Sequence, residues 1–307
     1  MATLRWHDSQ NRDTLETKVH IPDGFLSTPV WAALDISAAP AVAIIARRAQ
    51  RTFDEAKVPL LGVMGAFVFA AQMINFPVGP GTSGHLVGGA LLAYTLGPAA
   101  ASVVLTAIVA IQALVFQDGG ILALGANVLN MAVLGVLAGY LPYHFWGRTR
   151  ARRAAIFAGG ALSVLISAVM ALSELLLSGV RMPGGVLGIS VGLFAVSALA
   201  EGAITLAVIG ALERIQPEFI RQPAAGRSYA LGAVATVAVL LVTAGVLLAS
   251  TSPDGIEKLG QARTLLSTPF SGYGIAGLGS GWLPKAGAGL LGLGLVYGVC
   301  LMIGRRR

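Results

Sequence analysis

The chain has 307 residues, of which 55% are hydrophobic and 11% are charged, whereas about a quarter of the residues in a typical soluble domain are charged. This composition excludes a water-soluble globule and indicates a protein of the lipid bilayer. The net charge of +7 does not indicate nucleic-acid binding, because the basic residues lie in short clusters between long apolar runs. The single cysteine, Cys300, excludes a disulfide framework and a thiolate metal cluster.

A polar arm, residues 1–18, precedes the apolar part of the chain and lacks the apolar segment of a secretory signal peptide. Nine apolar runs follow, and they predict nine helices, several of which reach the roughly 20 residues that cross a bilayer. The third run is short and follows a loop rich in glycine and proline. The predicted spans are residues 28–46, 58–76, 84–96, 98–116, 122–146, 154–176, 188–212, 229–250 and 285–303.

Four clusters of basic residues predict the direction of each span, because loops that carry Lys and Arg stay on the cytoplasmic side. Nine alternating spans place all four clusters in the cytoplasm, with the start of the first span outside and the carboxyl terminus inside. We therefore expect an all-α, multi-pass protein of the cytoplasmic (inner) membrane. The clusters are Arg47, Arg48 and Arg51; Arg148 to Arg153; Arg214 to Arg227; and Arg305 to Arg307.

A polar stretch that contains Pro217 and Pro223 separates the first seven predicted helices from the last two. The predicted units are a seven-helix core at 19–213, a cytoplasmic linker at 214–228 and a two-helix appendage at 229–307. The 40 glycines of the chain predict close helix packing in both helical units, because helices in lipid associate through small side chains.

Two histidines lie where the apolar pattern is interrupted. His20 precedes the first span, beside the turn residues Pro22 and Gly24, and is either solvated at the headgroup level or functional. His85 follows the Gly/Pro-rich loop, and an ionisable group beside broken backbone at membrane depth predicts a functional residue. Two imidazoles without a thiolate suit Ni(II), Cu(II), Co(II) or Zn(II) rather than magnesium or calcium, and they do not choose among the four.

Four further polar residues are candidates for hydrogen bonding to these imidazoles and so fixing their orientation. Each is equally suited to cap a helix or form a turn, and the turn interpretation is at least as strong for the aspartate before Gly119 and Gly120. The four residues are Asp23, Asp118, Asn127 and Asn130.

The remaining polar groups near the spans have weaker functional interpretations. His144 lies among aromatic residues at a predicted cytoplasmic helix end, which favours an interfacial belt. Three acids inside or near spans either line a translocation path or hydrogen bond between helices: Asp35, Glu174 and Glu201. The sequence contains no nucleotide-binding loop of the G-x-x-x-x-G-K-[ST] kind, so any uphill transport takes its energy from partner subunits or an ion gradient.

Three separated strings, in this order, resemble the NikM/CbiM family, the nickel/cobalt substrate-binding (S) components of energy-coupling factor (ECF) transporters. They are HIPDGFLS at 20–27, NFPVGPGTSGHLVGGALLA at 75–93 and FQDGGILALGANVLNMAVLG at 116–135. The appendage, with SPDGIEKLG at 252–260 and a final span, resembles the small N component, fused as in NikMN and CbiMN proteins. The resemblance extends from about residue 19 to the end of the chain.

The resemblance implies a ligand set in which a chain beginning Met-His holds the metal. The ligands are the terminal amine, the amide nitrogen and imidazole of the second residue, and an imidazole from the Gly-rich loop, which here implies His20 and His85. Val19 then supplies the backbone amine as an initiator methionine, and residues 1–18 are not translated. With the arm present, we expect a weaker site of two imidazoles and water or a carboxylate. Four nitrogens in a plane favour Ni(II) or Co(II) over tetrahedral Zn(II).

The function that the resemblance implies is capture of Ni(II) or Co(II), as transported substrate, at the outer side of the membrane. Delivery then requires a membrane coupling (T) subunit and two cytoplasmic ATPase subunits, and the chain itself is not an enzyme. An ion-coupled secondary carrier and a membrane-embedded metalloenzyme remain the alternatives. Nickel and cobalt accept the same nitrogen set, and the fused appendage slightly favours nickel.

Overall fold

The computed structural model describes residues 20–52, 58–79, 82–216, 229–249, 256, 263–279 and 281–305. In these residues the fold is a bundle of α helices with one two-stranded antiparallel hairpin. The strands are β1 (Phe76–Gly79) and β2 (Thr82–Gly84). The helices are α1 (Thr28–Thr52), α2 (Val58–Gln72), α3 (Gly89–Leu96), α4 (Pro98–Ile111), α5 (Leu124–Asn127), α6 (Val136–Trp146), α7 (Arg152–Leu177), α8 (Gly184–Ile215), α9 (Tyr229–Thr243) and α10 (Trp282–Gly304).

Each of the nine predicted apolar runs contains a helix, so the all-α membrane architecture is confirmed. Six helical stretches in the described residues are long and apolar enough to cross a membrane. They are Thr28–Arg51, Pro98–Phe116, Leu124–Trp146, Arg152–Leu177, Gly184–Ile215 and Trp282–Gly304. The count of nine complete spans and the direction of the termini stay predictions.

The helix in the third predicted span, 84–96, begins later than predicted and is short. Its helix begins only at Gly89, because residues 82–84 pair with β1 as a strand and Gly88 adopts the left-handed conformation (φ 76°) before the first turn. Eight residues of helix rise about 12 Å, less than half of a hydrocarbon core of about 30 Å. The preceding residues 82–88 are buried and not helical.

Two helical runs contain π-helical turns, which were not predicted. After α4, residues Gln112–Phe116 form a π-helix that ends at Gln117 in the left-handed conformation (φ 55°). The run predicted as 122–146 is α5, a π-helix at Val128–Gly135 and then α6. Widened turns of this kind redirect side chains and occur frequently at functional sites. They flank the loop 117–123, which lies against the segment that carries His20.

The helix α2 is the centre of the main hydrophobic core. Most of its residues are buried, and α9 and α10 supply much of the covering surface. Gly62 faces the Tyr297 ring of α10, and Gly65 faces Val296 and Cys300 of the same helix. The appendage is therefore packed into the core and is not a peripheral addition. Most of the predicted linker, residues 217–228, lies outside the described residues. The polar arm 1–18 lies outside them as well.

Replacing Gly292 with alanine is expected to destabilise the contact between α10 and α2. A Cβ at this position would collide with the Phe69 ring, and overpacking of a core typically costs about 1–3 kcal/mol. Gly294→Ala is the matched control, since nothing lies within 4 Å of its added Cβ. Thermal unfolding in detergent should show a lower midpoint for Gly292→Ala and an equal or higher midpoint for Gly294→Ala. Equal midpoints for the two variants would contradict this packing.

Candidate metal centre

The segment that carries His20 is held in the bundle by hydrogen bonds to the loop and the helix that follow α4. His20 itself is fully buried. The Ile21 N–H donates to Asn127 Oδ1 (2.8 Å), and the Ile21 carbonyl accepts from Asn127 Nδ2 (3.1 Å) and from the Gly120 N–H (2.9 Å). One amide side chain thus satisfies both backbone groups of the residue next to His20, much as a neighbouring strand would.

Asp23, which belongs to the same segment, fastens it to the loop that precedes α5. Its two carboxylate oxygens accept from the N–H groups of Ile121 (2.9 Å) and Leu122 (2.8 Å). The loop can approach this closely because it contains two glycines. A Cβ on Gly119, whose φ is +99°, would lie 2.9 Å from His20 Cβ, and one on Gly120 would lie 2.6 Å from the Asp23 nitrogen. Close packing against the His20 segment therefore requires both glycines of the DGG sequence.

His85 lies in the loop between β2 and α3, and a carboxylate from α8 holds that loop. The two oxygens of Glu201 accept from the N–H groups of Val87 and Gly88, both at 2.8 Å. His85 Nδ1 lies 2.7 Å from the Leu86 carbonyl, and donation of its proton there leaves the lone pair on Nε2. In this tautomer the imidazole is neutral, and Nε2 is able to bind a metal.

The two imidazoles meet in the interior although 65 positions separate them in the chain. Their ring centroids are 5.6 Å apart, with 27° between the ring planes. A metal–nitrogen bond of about 2 Å places each ring centroid roughly 3 Å from the ion, so two rings sharing one ion lie within about 6 Å. Neither ring nitrogen of His20 has a hydrogen-bond partner among the described residues. Buried polar atoms without a partner are costly, which favours a ligand at this position.

Asp118 lies beside His20, with its Oδ1 3.4 Å from His20 Nδ1. Its other oxygen, Oδ2, accepts a hydrogen bond of 2.5 Å from the Tyr273 hydroxyl. A buried carboxylate this close to an imidazole favours a cation at the centre by its charge. Within the described residues, no group of three His, Cys, Asp or Glu side chains is arranged to hold a metal ion. A complete coordination sphere around His20 and His85 therefore needs backbone nitrogens or water.

Two of the predicted site residues stand apart from this arrangement. Asn130 Nδ2 donates to Glu174 Oε2 on α7 (2.8 Å), and the structure gives no hydrogen bond between Asn130 and His20 or His85 in the described residues. Val19 lies outside the described residues. Asn127 binds the backbone of the His20 segment and Asp118 lies beside His20. Asp23 belongs to that segment and binds the backbone of the loop 121–122.

The other polar candidates have structural partners. Asp35 accepts from the Gly125 N–H (2.7 Å), so it joins α1 to α5. His144 lies among the rings of Tyr140 and Phe145 and is exposed, as an interfacial position would be. No sequence pattern pointed to Tyr273 as a site residue, and it lies 155 positions after Asp118 in the chain. Glu201 stood out only as an acid within a span, not as the residue that holds the His85 loop.

Replacing Gly119 with alanine is expected to weaken metal binding. The new Cβ would push on His20 and strain a backbone with φ +99°. Gly179→Ala is the matched control, because Gly179 also has a positive φ (+84°) but nothing lies within 4 Å of its added Cβ. Both variants should lose about 1 kcal/mol or more of stability from the backbone strain. Only Gly119→Ala should lose metal affinity in a titration, and equal affinities would count against the contact with His20.

Comparison with known proteins matches this chain to a family. The profile of the CbiM family, described as a cobalt uptake substrate-specific transmembrane region, matches residues 20–219. A putative fused nickel transport protein, NikMN, of Archaeoglobus fulgidus is 37% identical over 224 residues, which are 71% of this chain and 74% of that protein. The fused nickel transport protein NikMN of Rhodobacter capsulatus is 30% identical over 298 residues, 88% of this chain and 83% of its own.

Solved structures show the same fold. A truncated transition metal transporter is 34% identical, with a TM-score of 0.56, and the match covers 64% of this chain and 98% of that one. A second transition metal transporter is 33% identical, with a TM-score of 0.57, over 65% of this chain and 94% of that one.

Proposed function

The chain belongs to the CbiM family of cobalt uptake proteins, and from that premise we propose that it captures Ni(II) or Co(II) at the outer side of the cytoplasmic membrane for ATP-driven import. It is a multi-pass membrane protein of nickel and cobalt transport and not an enzyme, and the metal is its cargo. The outer-side capture, the energy source and the ligands are the proposed parts.

The observation that carries the proposal is the convergence of His20 and His85. Two buried imidazoles lie on separate segments that are each held by hydrogen bonds, and their ring centroids are 5.6 Å apart. Both ring nitrogens of His20 lack hydrogen-bond partners in the described residues. A structural histidine in such an interior would normally be hydrogen bonded. Nitrogen ligands also suit nickel and cobalt, whereas magnesium and calcium prefer oxygen.

The remaining ligands in this proposal are backbone nitrogens at Val19 and His20. With Val19 as the initiating residue, its amine and the His20 amide add two nitrogens to the two imidazoles. Four nitrogens form the plane that Ni(II) accepts readily and that tetrahedral Zn(II) does not favour. Asn127 supports this arrangement by holding the backbone of Ile21, Asp23 by binding the loop 121–122, and Asp118 by its charge beside His20. The part of Asn130 in the proposal is to hold the π-helix that follows Asn127 against α7, through its bond to Glu174.

Delivery is assigned to partners. The chain carries no nucleotide-binding loop of the Walker type, so ATP hydrolysis falls to two cytoplasmic ATPase subunits joined through a membrane coupling (T) subunit. The word "fused" in the names of the nickel transport relatives supports a system of several components. Uptake that continues without those subunits would instead favour an ion-coupled carrier.

His85→Ala is expected to abolish retention of Ni(II) by the purified chain, because it removes one of the two imidazoles and leaves the helices intact. Metal analysis after equilibration with an equimolar mixture of Ni(II) and Co(II) measures the loss and ranks the two ions. His144→Ala is the control, since His144 is exposed among aromatic rings at the end of α6. Unchanged metal affinity in His85→Ala, with helical content preserved, would contradict the assignment.

The amino terminus of the native protein is expected to begin at residue 19, read as methionine, followed directly by His20. This start supplies the amine nitrogen that the two imidazoles need for a four-nitrogen plane. Mass determination of the chain purified from its natural host decides the point. Active, metal-binding protein that retains Met1 or Ala2 would contradict this start.

A further inference from the structure

Tyr273 connects the appendage to the candidate metal centre through one hydroxyl group. It lies in the segment 263–279 that precedes α10, and its hydroxyl donates to Asp118 Oδ2 at 2.5 Å. The other oxygen of Asp118 lies 3.4 Å from His20 Nδ1. A single carboxylate therefore stands between a side chain of the appendage and a candidate metal ligand.

The same hydroxyl is linked to the loop that carries the second imidazole. It accepts from Gln112 Nε2 (3.2 Å), which also donates to Gln72 Oε1 (3.0 Å). Gln72 Nε2 in turn donates to the carbonyl of Val87 (2.8 Å), two residues after His85. Gln72 and Gln112 are both buried, so this polar chain crosses a part of the core that is otherwise apolar. It joins the two ligand-bearing segments, and in the part of the appendage that the structure describes Tyr273 is its one member.

The backbone and ring of Tyr273 are both held in an unusual position. Its φ is 56°, in the left-handed region of backbone conformation that residues other than glycine adopt at an energetic cost. The ring stacks on Phe116, with centroids 4.8 Å apart and 18° between the planes. A strained conformation persists where the surrounding contacts over-determine it, and such positions cluster at functional sites.

Two further hydrogen bonds fasten the segment 263–279 to elements that build the centre. The Thr268 hydroxyl donates to the Val115 carbonyl in the π-helical turn (2.5 Å). The Arg263 N–H donates to the carbonyl of Asp23 (2.8 Å), in the segment that carries His20. Three hydrogen bonds thus hold the segment 263–279 against elements of the candidate metal centre, and of these three the bond from the Tyr273 hydroxyl is the one that reaches a side chain beside the imidazoles.

We propose that Tyr273 is a positioning residue through which the appendage sets the affinity and coordination geometry of the metal centre. This role rests on the proposed function of His20 and His85. The hydroxyl fixes Asp118 Oδ2, so the carboxylate presents Oδ1 to His20 and cannot turn away. Its negative charge then stays beside the bound cation in an interior of low polarity, where charge interactions are strong. By linkage, a bound metal stabilises the docked segment by the same factor.

The variant Tyr273→Phe removes the hydroxyl and keeps the ring that stacks on Phe116. We expect the Ni(II) affinity of the full chain in detergent, measured by competition with a chelator, to fall about tenfold or more, since loss of a partner behind a metal ligand costs 10–100-fold. The ligand-field absorption bands of bound Ni(II) should also shift, because the coordination geometry changes. Tyr297→Phe is the matched control, the same change on α10 where the ring faces Gly62, and should change neither quantity.

A double variant separates positioning from a general structural effect. If the hydroxyl acts through the carboxylate, Tyr273→Phe causes no further loss of affinity in an Asp118→Asn background, since the two changes remove the same interaction. Additive losses, or an unchanged Ni(II) spectrum in Tyr273→Phe, would overturn the positioning role. Gln112→Leu, which breaks the chain on the other side of Tyr273, is a second variant expected to shift the same bands.

The two proposals fail in different ways. A wild-type chain that binds no Ni(II) overturns the function assigned to His20 and His85. Wild-type binding with unaltered affinity and spectrum in both Tyr273→Phe and Gln112→Leu overturns the positioning role and leaves the metal site intact.

Discussion

The structure depends on satisfying short stretches of non-helical backbone inside a helical bundle. In a membrane interior no water replaces a missing partner, and each unpaired N–H or C=O costs several kcal/mol. Three side chains supply the partners in this chain. Asn127 holds both backbone groups of Ile21, Asp23 accepts from the loop 121–122, and Glu201 accepts from Val87 and Gly88. Through these bonds the two histidine-bearing segments are held as non-helical backbone among the helices.

Clamping of this kind positions both imidazoles through protein contacts. The backbone on the carboxyl side of each imidazole is hydrogen bonded, whereas the ring nitrogens of His20 have no hydrogen-bond partner in the described residues. A preorganised site loses less conformational entropy when it binds its ligand.

The last two helices take part in both the packing and the centre. They cover α2, the most buried helix of the main core, and the segment before α10 carries Tyr273 to Asp118. The family profile ends at residue 219, so this contact joins two regions that the profile does not treat together. A fused chain keeps the two regions at high effective concentration, which keeps the Tyr273 hydroxyl within reach of Asp118.

Composition and periodicity determined that this is an all-α membrane protein, and the breaks in the apolar pattern pointed to His20, His85 and the DGG loop. These features are local, because apolar length and Gly/Pro interruption are set by neighbouring residues. Tertiary structure alone decided that the third run is a strand and a half-length helix, since strand pairing and the turn at Gly88 depend on partners outside the run. It also decided that Glu201 and Tyr273 serve the centre, because each reaches it across more than 100 positions of chain, and that Asn130 bonds to Glu174 instead.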